Sequence, residues 1–330
     1  MPIDGTITRR ALLHAATCTA MSALAGPGRA EAAYPSRSVT WVLPFAVGGA
    51  TGRLARPICE RLTDQLGQPF ILENRPGAGG NVGTKSVVDA APDGYTILAT
   101  STANAINVTF DPSLPFDAAH DLIHVATLAR TPLLLLVSNE LPVKSLAEFL
   151  AYAKANPGKL SVGSAGPGTV QHLSAELFRA MAGLEWTHVH YRGSGPGLVD
   201  LSSGHVHAMF DNIASSLELL QGGKVRALAV TTREPSKLMP HLPPIWTVLP
   251  GFETSGFYGT AVPRGTPQDI VELLNREINL AIADPAIGKA FTEIGAIPIT
   301  CSVRDCGGVF AAEVIRWRQL IALSGLSKNG

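Results

Sequence analysis

The run Pro44-Phe45-Ala46-Val47-Gly48-Gly49-Ala50-Thr51-Gly52 leaves a strand-like segment and turns through glycines into a helix-like one. The same arrangement returns at Val162-Gly163-Ser164-Ala165-Gly166-Pro167-Gly168-Thr169 and at Val189-His190-Tyr191-Arg192-Gly193-Ser194-Gly195-Pro196-Gly197. Such a turn leaves the first amides of the helix without intrahelical acceptors, at the positive end of the helix dipole. Several of them facing one crevice hold an anion with main-chain N–H groups and need no fixed positive side chain. The chemistry on offer is the capture of a small acid.

Side chains near these turns divide into ligand contacts and structural supports. Thr169 caps the helix that follows it, and its hydroxyl or amide also faces the anion; Ser164 has a similar standing. His172, in the first turn of that helix, is either a donor to the anion or a partly buried structural histidine. Ser101 and Thr102 end a strand at the sheet edge where ligands sit. Asp211 ends another, and either orients ligand-side hydroxyls and waters or caps the next turn. Arg75, in an Asn-Arg-Pro-Gly turn, reads as loop support, and Arg53 and Arg192 as solvated or salt-bridged.

A hydrolase or phosphate-handling enzyme using the same turns needs a nucleophile elbow with its base and acid, or a P-loop lysine. Gly163-Ser164-Ala165-Gly166 lacks the Gly-x-Ser-x-Gly spacing, and no Gly-Lys-Ser/Thr follows a glycine loop, so no catalytic residue is assigned. His188, His190, His205 and His207 alternate on strands rather than recurring at helical metal-site spacing, and neither a metal nor a cofactor is expected.

The elements that must position these residues alternate strand and helix for most of the chain, which implies an α/β fold with largely parallel sheets. Strands are expected at 39–44, 70–73, 95–100, 133–138, 159–163, 187–191, 205–210, 225–231 and 257–262. Helices are expected from Leu54 to Leu66 with Pro57 as an irregularity, through Asp89, over 146–156, over 170–182 with Gly183 beyond its end, over 198–203, from the Thr266-Pro267 start signal and over 309–323. With 330 residues the chain suits two domains. The expected division is a discontinuous first domain, 33–137 with 256–330, and a second, 138–255, inserted between. Crossings near Leu133–Ser138 and Phe257–Val262 form the hinge, and the ligand cleft lies between the domains.

Bulk properties narrow the partners. The chain is 46% hydrophobic and 16% charged with a formal net charge of zero, so a nucleic-acid partner is not expected. Aromatic residues are only 6%, which leaves little for base-stacking platforms. Residues 1–32 read as a signal peptide: Thr8-Arg9-Arg10, an apolar segment from Ala11 to Ala25, and a small-x-small cleavage site at Ala30-Glu31-Ala32. The paired arginines fit either a Tat signal or an ordinary Sec signal. No later stretch reaches the ~18 continuous apolar residues that span a bilayer. Of the cysteines, Cys18 leaves with the signal. Cys301 and Cys306 could pair in an oxidising compartment, but the odd count left with Cys59 favours buried or adventitious thiols.

Taken in order, several motifs resemble the Bug family, the periplasmic solute-binding components of tripartite tricarboxylate transporters. They are Pro44-Phe45 with Gly48-Gly49-Ala50-Thr51, Glu73-Asn74-Arg75-Pro76-Gly77-Ala78-Gly79-Gly80-Asn81, Ala91-Pro92-Asp93-Gly94-Tyr95-Thr96, Ala155-Asn156-Pro157-Gly158, Gly163 to Thr169, Met209-Phe210-Asp211-Asn212 and Val225 to Thr231. The resemblance implies a two-domain, type II-like Venus-flytrap fold in the periplasm. It also implies capture of a small organic carboxylate (a di- or tricarboxylate or an aromatic acid), handed by a monomer to membrane subunits of the transporter, without catalysis. A sensing subunit for a membrane signalling partner is the alternative. By position, the family's carboxylate-gripping loops fall here on Phe45, Ala46, Gly48, Gly49, Ala50 and Thr51, and on Ser164, Ala165, Gly168 and Thr169. One departure stands out: Gly52 occupies the place where the family usually has an acidic residue, which implies a ligand without an ammonium group.

Overall fold

The computed structural model describes Met1 and residues 34–324, so the expected signal segment, its paired arginines and its cleavage site lie outside the described residues. In chain order the elements are β1 (Val39–Leu43), α1 (Ala50–Leu66), β2 (Phe70–Asn74), α2 (Asn81–Val88), β3 (Thr96–Ser101), α3 (Thr102–Phe110), β4 (Leu122–Ser138), α4 (Leu146–Ala155), β5 (Leu160–Ser164), α5 (Val170–Ala182), β6 (Trp186–His190) and α6 (Ser194–Ser202). They continue with β7 (Ala208–Asn212), α7 (Ile213–Gln221), β8 (Val225–Val230), β9 (Ser255–Pro263), α8 (Gln268–Ala283), α9 (Pro285–Glu293), β10 (Ile297–Pro298) and α10 (Val303–Ser324).

The strands form two half-sheets joined through β4. Its first part pairs antiparallel with β9, from Leu122 opposite Pro263 to Pro132 opposite Ser255, next to β3, β1 and β2. From Leu133 onward the same strand pairs with β7 and β8, and β7 leads on to β5 and β6. The half-sheet of β1, β2 and β3 with its helices makes the first lobe, and that of β5, β6 and β7 the second. The expectation of largely parallel sheets needs correction. The β1–β2, β1–β3, β5–β6 and β5–β7 pairings are parallel, but every pairing made by β4 and β9 is antiparallel. The two strands that carry the chain between the halves run against their neighbours, which no local pattern announces.

The apolar run at the end of β4 is continuous because both its faces are covered. Leu133, Leu135 and Val137 join one core with Phe149, Phe178, Phe210 and Phe252, while Leu134 and Leu136 join another with Met209, Ile213 and Val230. In the first lobe, Val42, Leu98, Ala105 and Phe257 make a third cluster. The last helix spans the lobes: α10 gives Phe310 and Val314 to that third cluster and Trp317 and Ile321 to the Phe149 core.

Local differences have local causes. Helix α1 starts at Ala50, four residues before the expected Leu54, so Pro57 lies inside it. Helix α3 follows Ser101 directly and was hidden by its Thr, Asn and Val residues, which are indifferent helix formers. Helix α7 was likewise not anticipated. Thr266 does not cap α8: its hydroxyl donates to the Pro263 carbonyl at 2.8 Å, and Pro267 occupies the cap position. Cys301 and Cys306 form a disulfide, correcting the expectation of unpaired thiols; the odd cysteine is Cys59, buried and free. Among the described residues, no helix is long and apolar enough to cross a membrane.

Candidate functional site

Four helices begin at one cavity. The lining comprises Phe45, Gly49, Ala50 and Thr51 at the start of α1, Ser101, Thr102 and Ala103 at α3, Ala165, Thr169, Val170 and Gln171 at α5, Ser194 at α6, and Tyr258 from β9. Its walls leave a cavity of about 20 Å³, room for about one water, so a larger guest requires them to part. Helices α1 and α3 belong to the first lobe, α5 and α6 to the second, so the cavity lies between them. No ionisable acid or base other than the Tyr258 phenol lines it. Its polarity is that of amides and hydroxyls, at the positive ends of four helix dipoles.

The glycine turns explain the geometry at α1, where Gly49 is the extended cap and offers no side chain to occupy the first-turn amides. At α3 the Ser101 N–H donates to Asn104 Oδ1 at 2.8 Å, and the Asn104 amide is held in turn by Thr84 Oγ1 at 2.8 Å. The Ser101 hydroxyl is buried and has no hydrogen-bond partner among the described residues. Thr102 is otherwise engaged: its Oγ1 accepts from the Phe257 N–H at 2.7 Å, tying α3 to β9. Thr169 caps α5 as expected, accepting from the His172 N–H at 3.3 Å and donating to the Gly166 carbonyl at 2.7 Å. Its hydroxyl is thereby committed to the turn.

Asp211 does not reach the cavity. It is wholly buried behind Gln171 and Ser194. The Ser194 hydroxyl donates to its Oδ1 at 2.7 Å, Gln171 Nε2 to the same oxygen at 3.1 Å, and the Ser215 hydroxyl to Oδ2 at 2.7 Å. Burial pushes the Asp211 carboxyl above the usual range, and these donors only partly offset it. The carboxyl orients the two side chains that do face the cavity.

Ala46, Gly48 and Gly168 lie at the rim, where the lobes touch. The Ala46 N–H donates to the Arg192 carbonyl at 3.1 Å. A Cβ placed on Gly195 would meet the Val47 carbonyl oxygen at 2.2 Å, and one on Gly168 would meet Asn107 Oδ1 at 2.1 Å. Gly79, with φ +64°, would carry a Cβ 1.8 Å from the Pro167 oxygen. Arg53 on α1 pairs with Glu218 on α7 at 2.8 Å, and Arg75 supports its own loop through Glu73 and Ser86 at 2.8 to 3.0 Å. Gly52 borders an outer groove with Arg53 and Arg56 rather than the cavity.

Ser164 and His172 turn elsewhere. The Ser164 hydroxyl meets His190 Nδ1 at 3.1 Å, and His172 Nδ1 accepts from the Gly168 N–H at 3.2 Å. His172, His188 and His190 each place a ring nitrogen within 4.8 Å of the other two. The sequence argument against a metal weighed only the strand histidines; α5 brings in the third.

Of the lining, Ala103, Val170, Gln171, Ser194 and Tyr258 were not nominated from sequence. Gln171 stands two residues after the Thr169 cap and Ser194 inside the third glycine turn, so both carried a local signal. Tyr258 arrives on a strand remote in sequence and carried none.

The family model described as "Tripartite tricarboxylate transporter family receptor" (TctC) matches residues 54–326. Protein BugT of Bordetella pertussis (strain Tohama I) is 35% identical over 309 residues, covering 93% of this chain and 94% of its own. Among solved structures, Rpa4515 of R. palustris with adipate is 38% identical with a TM-score of 0.86, over 89% of this chain and 99% of that one. MatC of Rhodopseudomonas palustris with bound malate is 33% identical with a TM-score of 0.84, over 87% and 100%.

Proposed function

The chain belongs to the Bug family of tripartite tricarboxylate transporter receptors, and on that premise we propose that it captures a small dicarboxylate in the cavity between its lobes. The observation that carries this reading is the lining itself: four helix N-termini and no charged side chain. Each carboxylate of the ligand takes first-turn amides from one or two helices, the Ser101 hydroxyl supplies a further donor, and the positive dipole ends balance the charge. The adipate and malate of the two structural relatives are of this class. No acidic side chain lines the cavity to receive an ammonium, which favours simple acids over amino acids; Gly52 borders the outer groove, so the residue type there carries no information on the ligand.

In this reading the protein works in the periplasm after loss of residues 1–32 and delivers its ligand to the transporter's membrane subunits. The first lobe takes 33–137 with 256–330 and the second takes 138–255. Ligand binding favours the form in which the rim contacts are made, because only that form brings amides of both lobes onto one acid. Binding, with no chemical conversion, accounts for the site.

Isothermal titration against adipate, malate, citrate, benzoate, glutamate and glucose tests the reading. A dicarboxylate without an ammonium group is expected to bind best, and at a hundredfold excess over Kd to stabilise the fold by about 2.7 kcal/mol. Tightest binding of glutamate, or of glucose with no acid bound, would defeat it.

A further inference from the structure

We propose that His172, His188 and His190 form a binding site for a divalent transition metal of the zinc type, separate from the acid cavity. His188 and His190 are two apart on β6 and project from one face of that strand. His172, from the first turn of α5, packs across them. The ring centroids are 4.7 Å apart for His172–His188 and His172–His190 and 4.6 Å for His188–His190. One nitrogen from each ring lies within 4.8 Å of the others. Tetrahedral coordination at zinc–nitrogen distances near 2.0 Å asks these nitrogens to close by at most about 1.5 Å.

The surroundings are those of ligands rather than of packed core rings. His188 Nδ1 donates to Glu176 Oε1 at 2.8 Å, which leaves the Nε2 lone pair exposed to the cluster; that atom is buried with no partner among the described residues. A carboxylate behind a ligating imidazole fixes the tautomer and raises the basicity of the other nitrogen. Glu176 is itself held by Arg179 at 2.7 Å. The Ser164 hydroxyl occupies His190 Nδ1.

His172 makes the third bond at the expense of one hydrogen bond. Its Nδ1 accepts from the Gly168 N–H. Ligation through Nδ1 displaces that donor directly; ligation through Nε2 puts the proton on Nδ1, which then cannot accept. Metal uptake therefore releases the Gly168 amide, one residue before the Thr169 cap. Residue His190 is exposed, leaving the fourth coordination position to water.

The test uses the tag-free chain after removal of metal by chelator. Calorimetric titration with ZnCl2 is expected to give one site with Kd on the order of 1 µM or tighter, and Co²⁺ to give the visible bands of tetrahedral coordination. His190→Gln, a surface change, abolishes the site, and Glu176→Gln weakens it by roughly tenfold to a hundredfold. In the unaltered chain the Gly168 amide resonance moves on Zn²⁺ addition, a readout that needs no variant to fold. Absence of uptake at about a hundred times that concentration, or uptake unaltered in His190→Gln, overturns the proposal.

Discussion

The main-chain amide of Ala46 donates to the carbonyl of Arg192 at 3.1 Å, joining the turn before α1 to the turn before α6. One residue pair thus ties a first-lobe glycine turn to a second-lobe one. Around it, Gly195 lies against Val47 and Gly168 against Asn107 with no room for a Cβ. The glycines of these turns serve two ends: they leave helix amides free inside the cavity and let the lobes approach at its rim.

Gly195→Ala separates these roles. Gly195 is the second residue of α6 and has no positive φ, so alanine suits the helix itself and favours it by up to about 1 kcal/mol. The added methyl meets the Val47 oxygen only when the lobes are together. The expected outcome is unchanged or raised thermal stability without ligand, with dicarboxylate affinity lower by about tenfold or more, a shift of roughly 1.4 kcal/mol. Calorimetry and scanning calorimetry on the same sample decide it.

Ser101→Ala is expected to affect binding alone. Among the described residues the hydroxyl makes only a loose capping contact with the Asn104 N–H and no regular hydrogen bond, so its loss costs the fold little. Removing one ligand hydrogen bond lowers affinity by roughly threefold to tenfold. A lowered melting temperature with unaltered affinity would assign the hydroxyl to the fold.

Gln171→Ala should lower both. Its amide faces the cavity and also donates to Ser194 and to the buried Asp211. Truncation leaves Asp211 short of a donor, at about 1–3 kcal/mol of stability, and loosens Ser194, which lines the cavity, so affinity falls through lost positioning. Urea denaturation and titration of the same variant measure the two losses.

His124 makes the first lobe acid-sensitive. It stacks on Phe310 at 3.6 Å between centroids, and its Nε2–H donates to the Ala118 carbonyl at 3.1 Å. Burial lowers its pKa from 6.5 to about 4, against the small opposing effect of that hydrogen bond. The unfolded chain therefore takes up the proton first. Stability from this residue is complete above pH ~6.5 and falls away toward pH ~4, by a total of about 3 kcal/mol. Denaturant midpoints at neutral pH and at about pH 4.5 for the unaltered chain and His124→Gln should show a smaller acid loss in the variant.

Reducing Cys301–Cys306 should loosen the start of α10 and leave the cavity alone. The bond closes a loop with a sequence separation of 5, for which chain entropy implies about 2 kcal/mol. Dithiothreitol is expected to lower the melting temperature by several degrees while leaving dicarboxylate affinity unchanged. A large affinity loss would mean that α10, which contributes to both lobes' cores, transmits the change.

Much of this molecule is legible in short segments. Glycine turns between strand and helix announce free amides, and the Thr169 cap and Gly183 stop delimit α5 to the residue, because backbone sterics and first-turn hydrogen bonding act over a few positions. The same locality led the reading of Ser164, His172 and Asp211 as ligand contacts: each lies in the correct turn or strand end, but side-chain direction was undetermined. The fold turned Ser164 and His172 toward the β6 histidines and set Asp211 behind Gln171.

Chain order alone therefore established the α/β elements, the family and the kind of group that holds an acid, since each depends on patterns confined to neighbouring residues. Packing decided the rest: Tyr258 meeting Ser101, three histidines from two elements meeting at one point, antiparallel strands at the crossings and the Cys301–Cys306 bond. These are contacts between surfaces brought together by the whole topology, and no run of adjacent residues specifies which surfaces will face each other.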